Sequence, residues 1–209
     1  MSEGAMSKKP KSTMMEYFEA IVWALVLTLF LRAFVIQAFR IPSESMLDTL
    51  LVGDFLFVNK FEYGPKIPFT HIRLPGLRPP RHGDVIVFQY PVDPTQDFIK
   101  RCIAVGGETI EVKDKQVILN GRTLVEPFTK HIDPSIHPPG YDTRDNMPAR
   151  TIPAGEMFMM GDNRDNSKDS RFWGTVQMDQ VKGRAMFLYW SWDSDRHWPR
   201  WDRLFRIIH

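Results

Sequence analysis

The residues Ala20 to Leu31, AIVWALVLTLFL, carry no charge, and the chain continues apolar from Ala33 to Phe39 after Arg32 alone. Twelve such residues are too few to cross a bilayer, but one helix over Ala20–Phe39 measures about 30 Å at 1.5 Å per residue, the thickness of a hydrocarbon core. A single transmembrane pass is the reading that fits. Arg32 would lie about 10 Å from the Phe39 end, close enough for its guanidinium to snorkel outward. No small-x-small cleavage site follows before the polar chain resumes, so the run reads as a retained anchor. Lys8, Lys9 and Lys11 precede it while Arg32 and Arg40 sit toward its far end, so the positive-inside bias weakly favours a cytoplasmic N-terminus. The chain then divides into a cytoplasmic tail over 1–16, an anchor helix over 17–39 and an extracytoplasmic β-rich domain over 40–209. Five residues separate Phe39 from Ser45, which places Ser45 within roughly 22 Å of the helix end. Whatever Ser45 does, it does beside the membrane.

Composition removes other classes. The 209 residues hold 27 basic and 25 acidic side chains, a net charge of +2, so no nucleic-acid-binding surface is advertised. The single Cys102 excludes an internal disulfide framework, and six His without CxxC or HxxxH spacing offer no zinc cage. Neither a metal nor an organic cofactor is expected.

From residue 40 the apolar residues fall in short β-branched or aromatic runs: Phe55–Val58, Val85–Phe88, Phe98–Val105, Thr109–Val112, Val117–Leu119, Met157–Met160 and Ala185–Trp192. These read as strands. Gly53-Asp54, Gly83-Asp84, Gly106-Gly107, Lys113-Asp114 and Asn120-Gly121 punctuate them, which predicts hairpins and a mainly antiparallel β fold. Two Pro-bearing stretches, Gly64–His82 and Glu126–Pro153, read as surface excursions or lids. At the end, Trp201, Leu204, Phe205 and Ile208 recur at helical spacing, so a short amphipathic helix is expected over Pro199–Ile208. Trp190, Trp192, Trp198 and Trp201 crowd the same region; core packing is the plainer account of them, contact with lipid headgroups the alternative.

Three segments are too polar for strand ends: Ile41-Pro-Ser-Glu-Ser-Met46, Ile99-Lys-Arg101 and Gly161-Asp-Asn-Arg-Asp-Asn-Ser-Lys-Asp-Ser-Arg171. A serine hydroxyl attacks poorly near neutrality unless a neighbouring base takes its proton. GxSxG and SxxK are absent, and nothing singles out one of His71, His82, His131, His137, His197 and His209. A serine–lysine pair remains. Lys100 sits in Phe98-Ile-Lys-Arg-Cys-Ile103, where apolar neighbours would desolvate the ammonium and Arg101 adds a like charge, both favouring the neutral amine. Spacing alone favours the plainer account, a lysine solvating a strand edge.

The wider pattern tips the balance. Ile41-Pro-Ser-Glu-Ser-Met-Leu-Asp-Thr-Leu50, Gly53-Asp-Phe55, Arg81-His-Gly-Asp-Val-Ile-Val-Phe88, Phe98-Ile-Lys-Arg101 and Gly161–Arg171, preceded by an apolar helix, resemble in content and order the type I signal peptidases. These are membrane-bound serine–lysine proteases that cut leader peptides from exported preproteins. The resemblance implies that Ser45 is the nucleophile and a neutral Lys100 its general base. It implies that the Ser43 hydroxyl and the Ser45 N–H form the oxyanion hole, that Ser167 hydrogen-bonds and orients the lysine, and that Asp169 and Arg171 support it as a charge pair. Phe39, Ile41, Leu50 and Ile99 would line shallow pockets that accept Ala at the positions one and three before the cut, although core packing explains the same residues. The substrate would lie extended against strand edges near Pro42 and Ile99.

For Asp162, Asn163, Arg164, Asp165 and Asn166 a polar turn satisfying its own backbone is the expectation. Asp48 departs from the family, which has Pro there; altered local rigidity is expected rather than lost chemistry. Cys102 reads as a small buried apolar residue. The implied partners are exported preproteins and the lipid bilayer, with the translocation machinery a further candidate for the Pro-rich excursions. Two other readings stay open: a serine–lysine autoprotease of the SOS-repressor kind, for which no DNA-binding head is present, and an inactive membrane-tethered β-rich binding module.

Overall fold

The structure, a computed structural model, describes residues 13–68, 70 and 72–209. Most of the tail expected over 1–16, with its three lysines, lies outside the described residues, as does His71. Helix α1 (Thr13–Phe30) has no buried residue, and Trp23, Leu25 and Leu27 stand out from it on all sides. One wide turn, Leu31–Val35, extends it; there the Ile36 N–H reaches back five residues to the Leu31 carbonyl. The most apolar 18-residue window of Thr13–Val35 has a mean hydropathy of 2.0, and the 23 residues give a length of about 34 Å, enough to cross a bilayer. A helix that is apolar from Ala20 onward on every face, with no buried residue among those described, suits lipid rather than water.

The helix stops four residues earlier than the sequence suggests. Ile36–Arg40 is strand β1, paired antiparallel with β2 (Asp54–Asn59) from Ile36 opposite Asn59 to Arg40 opposite Phe55. Apolarity misled here, because a half-buried strand and a membrane helix are both greasy. What decides is hydrogen bonding: the Lys60 N–H takes the Val35 carbonyl at 3.0 Å, and Lys60 Nζ donates to the Arg32 and Ala33 carbonyls at 3.0 and 3.2 Å. A cation on the last free carbonyls caps the helix and opposes its dipole. Arg32 is therefore about 4.5 Å from the end, nearer the interface than expected. The chain-length bound on Ser45 loosens to roughly 36 Å from Val35.

The remaining strands are β3 (Val85–Gln89), β4 (Asp97–Val105), β5 (Thr109–Lys113), β6 (Gln116–Leu119), β7 (Arg122–Thr123), β8 (Met147–Thr151), β9 (Glu156–Met160), β10 (Val176–Gln177), β11 (Val181–Asp193) and β12 (Trp198–Pro199). One antiparallel sheet runs β1-β2-β11-β3-β4-β9-β10, with β12 on β11; a second runs β7-β6-β5-β8. The mainly antiparallel β architecture expected from the sequence is the one observed. Asp114 and Lys115, then Asn120 and Gly121, all have positive φ, as two-residue hairpin turns require for the right-handed twist of their strands. The excursion Glu126–Pro153 contributes β8, which Pro148 disguised; this strand lies at the sheet edge, where a missing N–H is tolerated.

Alternation along the strands builds the core. Leu56, Val58, Val85, Val87, Ala185 and Leu188 meet Ile41, Met46 and Leu50 from the turn after β1. Ile86, Phe88, Cys102 and Met159 belong to a separate cluster, and Ile103, Ile110 and Phe158 fill the junction with the smaller sheet.

Beyond Pro199, the expected amphipathic helix reduces to a single 3-10 turn, Trp201–Arg203. The Arg203 guanidinium is buried on Asp54, at 2.5 and 3.1 Å, and this pins the chain. The backbone then runs beside β11, with Phe205 N–H on the Leu188 carbonyl and Ile208 N–H on the Met186 carbonyl, both 2.8 Å. Trp198 and Trp201 are 63% and 55% exposed, so core packing does not account for them. Truncating a fully buried side chain of the first cluster, Leu56→Ala, should cost about 2–5 kcal/mol, read as a lower denaturant midpoint in micelles. Val125→Ala, at a residue 94% exposed, should shift stability by less than about 0.5 kcal/mol.

Candidate active site

The first element of the site is the turn between β1 and β2. Ile41 N–H on the Asp54 carbonyl at 2.8 Å and Gly53 N–H on the Ile41 carbonyl at 3.1 Å close its base. Met46 and Leu50, both in the core, fix its far side. Ser45 is thus carried on a turn with little freedom. Its carbonyl accepts the Asn163 N–H at 3.2 Å, and the Glu44 carbonyl accepts Asn163 Nδ2 at 3.2 Å, which fastens the turn to the loop after β9.

The second element is β4, held between β3 and β9, with Lys100 opposite Ile86 and Arg101 opposite Met160. The pleat sends Lys100 and Arg101 to opposite sides. Lys100 Nζ donates to Ser45 Oγ at 2.5 Å, and the two residues are 4% and 7% exposed. Burial lowers the ammonium from the ordinary lysine value to about 8; Arg171 acts the same way, while Asp169 and Asp162 oppose it. At pH 7 about one lysine in ten is then neutral, against fewer than about one in a thousand unperturbed. The serine and lysine that the sequence singled out are in contact.

Ser43 Oγ lies 3.5 Å from Ser45 Oγ, on the solvent side. Both open on a cleft of about 570 Å³, lined also by Ile99, Lys100, Asn166 and Lys168. Of the four residues expected to form pockets, only Ile99 lines this cleft. Ile41 and Leu50 are buried in the first core cluster and Phe39 packs against it, because they hold down the Ser45 turn from beneath.

Asp169 and Arg171 form a fully buried pair at 2.8 Å. Asp169 also accepts Arg171 N–H at 3.2 Å, capping helix α2 (Ser170–Trp173), and Gly161 N–H at 3.1 Å. Burial pushes its carboxyl up, but Arg171 and these donors outweigh that and hold it below the usual range. Ser167 Oγ is buried beside Asp169, where it helps keep that carboxylate low, yet it has no partner of ordinary hydrogen-bond geometry; the bond to Lys100 expected of it is not formed. Gly161 explains the tight approach. A Cβ there would fall on Ser167 Oγ and on the Ser45 carbonyl oxygen.

The polar run Asp162–Asn166 does much more than satisfy its own turn. Asp162 takes Arg101 Nε and Nη2 at 2.8 and 2.7 Å, in full burial, and Thr49 Oγ1 at 2.5 Å. Arg164 pairs bidentately with Glu126 at 2.8 and 2.6 Å. Asp165 takes Lys115 at 2.9 Å and the N–H groups of Ile132 and Asp133. Asp48, in the Ser45 turn, pairs with Lys130 at 2.7 Å, an exposed contact worth little by itself. The excursion Glu126–Pro153 is therefore a strap across the loop behind the dyad. Arg101 had a legible signal: a charge inside an apolar strand needs a buried partner.

Comparison with known proteins agrees with this geometry. A family model described as signal peptidase, peptidase S26, matches residues 14–190. Signal peptidase I of Pseudomonas fluorescens is 33% identical, over 95% of this chain and 80% of that protein. Signal peptidase I of Pseudomonas aeruginosa is 34% identical, over 98% and 82%. A probable signal peptidase I-1 of Synechocystis sp. reaches 39% over 83% and 81%.

Burial of Lys100 carries a stability cost with a definite sign. The unfolded chain keeps its proton up to the ordinary value of 10.5, whereas the folded chain releases it at about 8. Between the two the unfolded state binds more protons, so stability rises with pH; below about 8 the cost is complete, at about 3 kcal/mol. Lys100→Met should therefore unfold at higher denaturant than wild type at pH 7, with the advantage shrinking toward pH 10.

Proposed function

The chain belongs to the signal peptidase family, peptidase S26, and on that premise we propose that it is a serine endopeptidase that removes signal peptides from preproteins, with Ser45 as nucleophile and Lys100 as general base. The observation that carries the assignment is the 2.5 Å contact between Lys100 Nζ and Ser45 Oγ in a buried setting. In the acylation step neutral Lys100 takes the hydroxyl proton as Ser45 Oγ adds to the scissile carbonyl. The oxygen of that carbonyl gains negative charge, and the donors proposed to receive it are the Ser45 N–H and the Ser43 hydroxyl, which lies 3.5 Å from Ser45 Oγ. Collapse breaks the C–N bond, the new N-terminal amine takes the proton from Lys100, and the leader remains as an ester on Ser45. Lys100 then deprotonates a water that hydrolyses the ester and restores the serine.

Ser167, Asp169 and Arg171 act through the lysine's surroundings. The Asp169–Arg171 pair fixes the loop that covers the amine, and Ser167 occupies the gap that Gly161 leaves. The substrate lies extended in the cleft between Pro42–Ser45 and Gln96–Lys100, its small side chains before the cut facing Ile99. Thr13–Val35 anchors the enzyme in the membrane, N-terminus cytoplasmic and the domain from Ile36 outside, so the cut falls where a leader's apolar segment leaves the bilayer. The translocation machinery is the partner proposed for the exposed excursion Gly64–His82.

Incubated in detergent with a preprotein bearing an A-x-A site, wild type should release the mature-length fragment by mass spectrometry, and Ser45→Ala and Lys100→Ala should not. Ser43→Ala should lose about 10²–10³-fold in kcat, the effect of one oxyanion donor. No turnover by wild type would leave the tethered binding module as the better account. Because the base must be unprotonated, kcat/KM should climb from pH 6 and level off above a midpoint of about 8. A profile flat from pH 6 to 9 would remove Lys100 from the role.

A further inference from the structure

A second cavity, of about 400 Å³, opens where the anchor meets the sheet, away from the dyad. Its lining includes Gln37 of β1, Lys60 just after β2, Lys66 and Thr70 of the Gly64–His82 excursion, Asp179, and Lys182 of β11. Three lysines and one aspartate thus line it, and nothing in the proposed cleavage mechanism uses any of them. The carboxylate is partly spoken for, since the Asp179 charge acts on Arg73, whose guanidinium is hydrogen-bonded to the Asp179 and Val181 carbonyls. Lys182 Nζ holds Asp97 at 2.6 Å, with both side chains partly exposed. Lys60 uses two of its three N–H donors on the helix carbonyls and keeps one. Burial first, then the like charges of Lys182 and Arg32, lower its pKa, so positive charge is crowded here.

Position says what an anion at this place would be. Gln37 is two residues beyond Val35, within about 7 Å of the anchor's end, at the level where lipid phosphates border the hydrocarbon. Phe61, next to Lys60, is 50% exposed and offers an apolar surface beside the charges. We propose that this cavity binds the phosphate group of an anionic lipid headgroup, held by Lys60, Lys66 and Lys182 at the exit of the membrane anchor. A phosphate there supplies counter-charge to Lys60 and Lys66, with Lys182 already sharing Asp97, and fixes the depth at which the domain sits. The site rests on the membrane placement proposed above and is independent of the dyad.

The test uses the full chain in nanodiscs of phosphatidylcholine containing a minority of phosphatidylglycerol, followed by native mass spectrometry of the lipids retained. Wild type should keep phosphatidylglycerol in preference to phosphatidylcholine. Lys66→Gln should weaken that retention about fivefold, the effect of one lysine at a membrane surface. Lys113→Gln, a charge-matched change on the distal sheet, should leave it unchanged. Equal retention by wild type and Lys66→Gln, or equal loss in Lys113→Gln, overturns the site. Inorganic phosphate binding to wild type in neutral detergent as tightly as the lipid would assign the cavity to free phosphate and overturn the lipid source. Flotation with vesicles separates the two readings: if wild type does not float, the anchor fails and this site with it. If all forms float with equal lipid retention, this site alone fails.

Discussion

A lysine can serve as a base at neutral pH only if its surroundings neither solvate its charge nor answer it, and the role proposed for Lys100 sets that requirement on the middle of this molecule. Burial removes the water. The harder part is that two carboxylates, Asp162 and Asp169, lie close enough to pull the Lys100 pKa back up. Each is already engaged by a guanidinium, Arg101 on Asp162 and Arg171 on Asp169, through two side-chain hydrogen bonds apiece. An arginine never gives up its proton at physiological pH, so these carboxylates have fixed partners and no demand for a second cation. On the proposed mechanism the two ion pairs limit the pull of these carboxylates on an amine that has to lose its proton.

The same pairs explain why so much chain is spent behind the cleft. Arg101 follows Lys100 directly and points to the opposite side of β4, so the strand that carries Lys100 also carries the tie to Asp162 and Thr49. Thr49 is four residues after Ser45. Ser45, Lys100 and the covering loop are thereby joined by one buried cluster. The strap from Glu126 to Pro153 closes it from outside: Lys130 exchanges backbone hydrogen bonds with Asp162 and Arg164, and Glu126 neutralises Arg164. Its prolines and charges, which look like loop composition, serve to hold a loop.

The strands were readable because alternation and turn chemistry are local: Thr109–Val112 and Val117–Leu119 with Asp114–Lys115 between them leave little choice. Ser45 and Lys100 were readable through pattern, since no property of a lone serine or lysine marks chemistry. What sequence could not convey was non-local. The boundary at Val35 depends on Lys60, twenty-five residues on, and the loss of the C-terminal helix depends on Asp54 capturing Arg203. Ile41 and Leu50 carry the same apolar signature whether they line a pocket or seal the core beneath it, and only packing separates these cases. The partners of Asp162 and Asp165 lie 61 and 50 residues away, too far for any spacing rule.

The passage from helix to strand at Val35–Ile36 leaves no linker between anchor and domain, and Lys60 rivets the joint from the side. A hinge would let the head swivel freely while its stem stayed put. Here stem and head are one lever, so if the stem crosses a membrane as proposed, a thicker or thinner one that changes its slant must swing the mouth of the cleft through the same arc. On that placement, membrane thickness becomes a mechanical input to how an emerging chain meets Ser45.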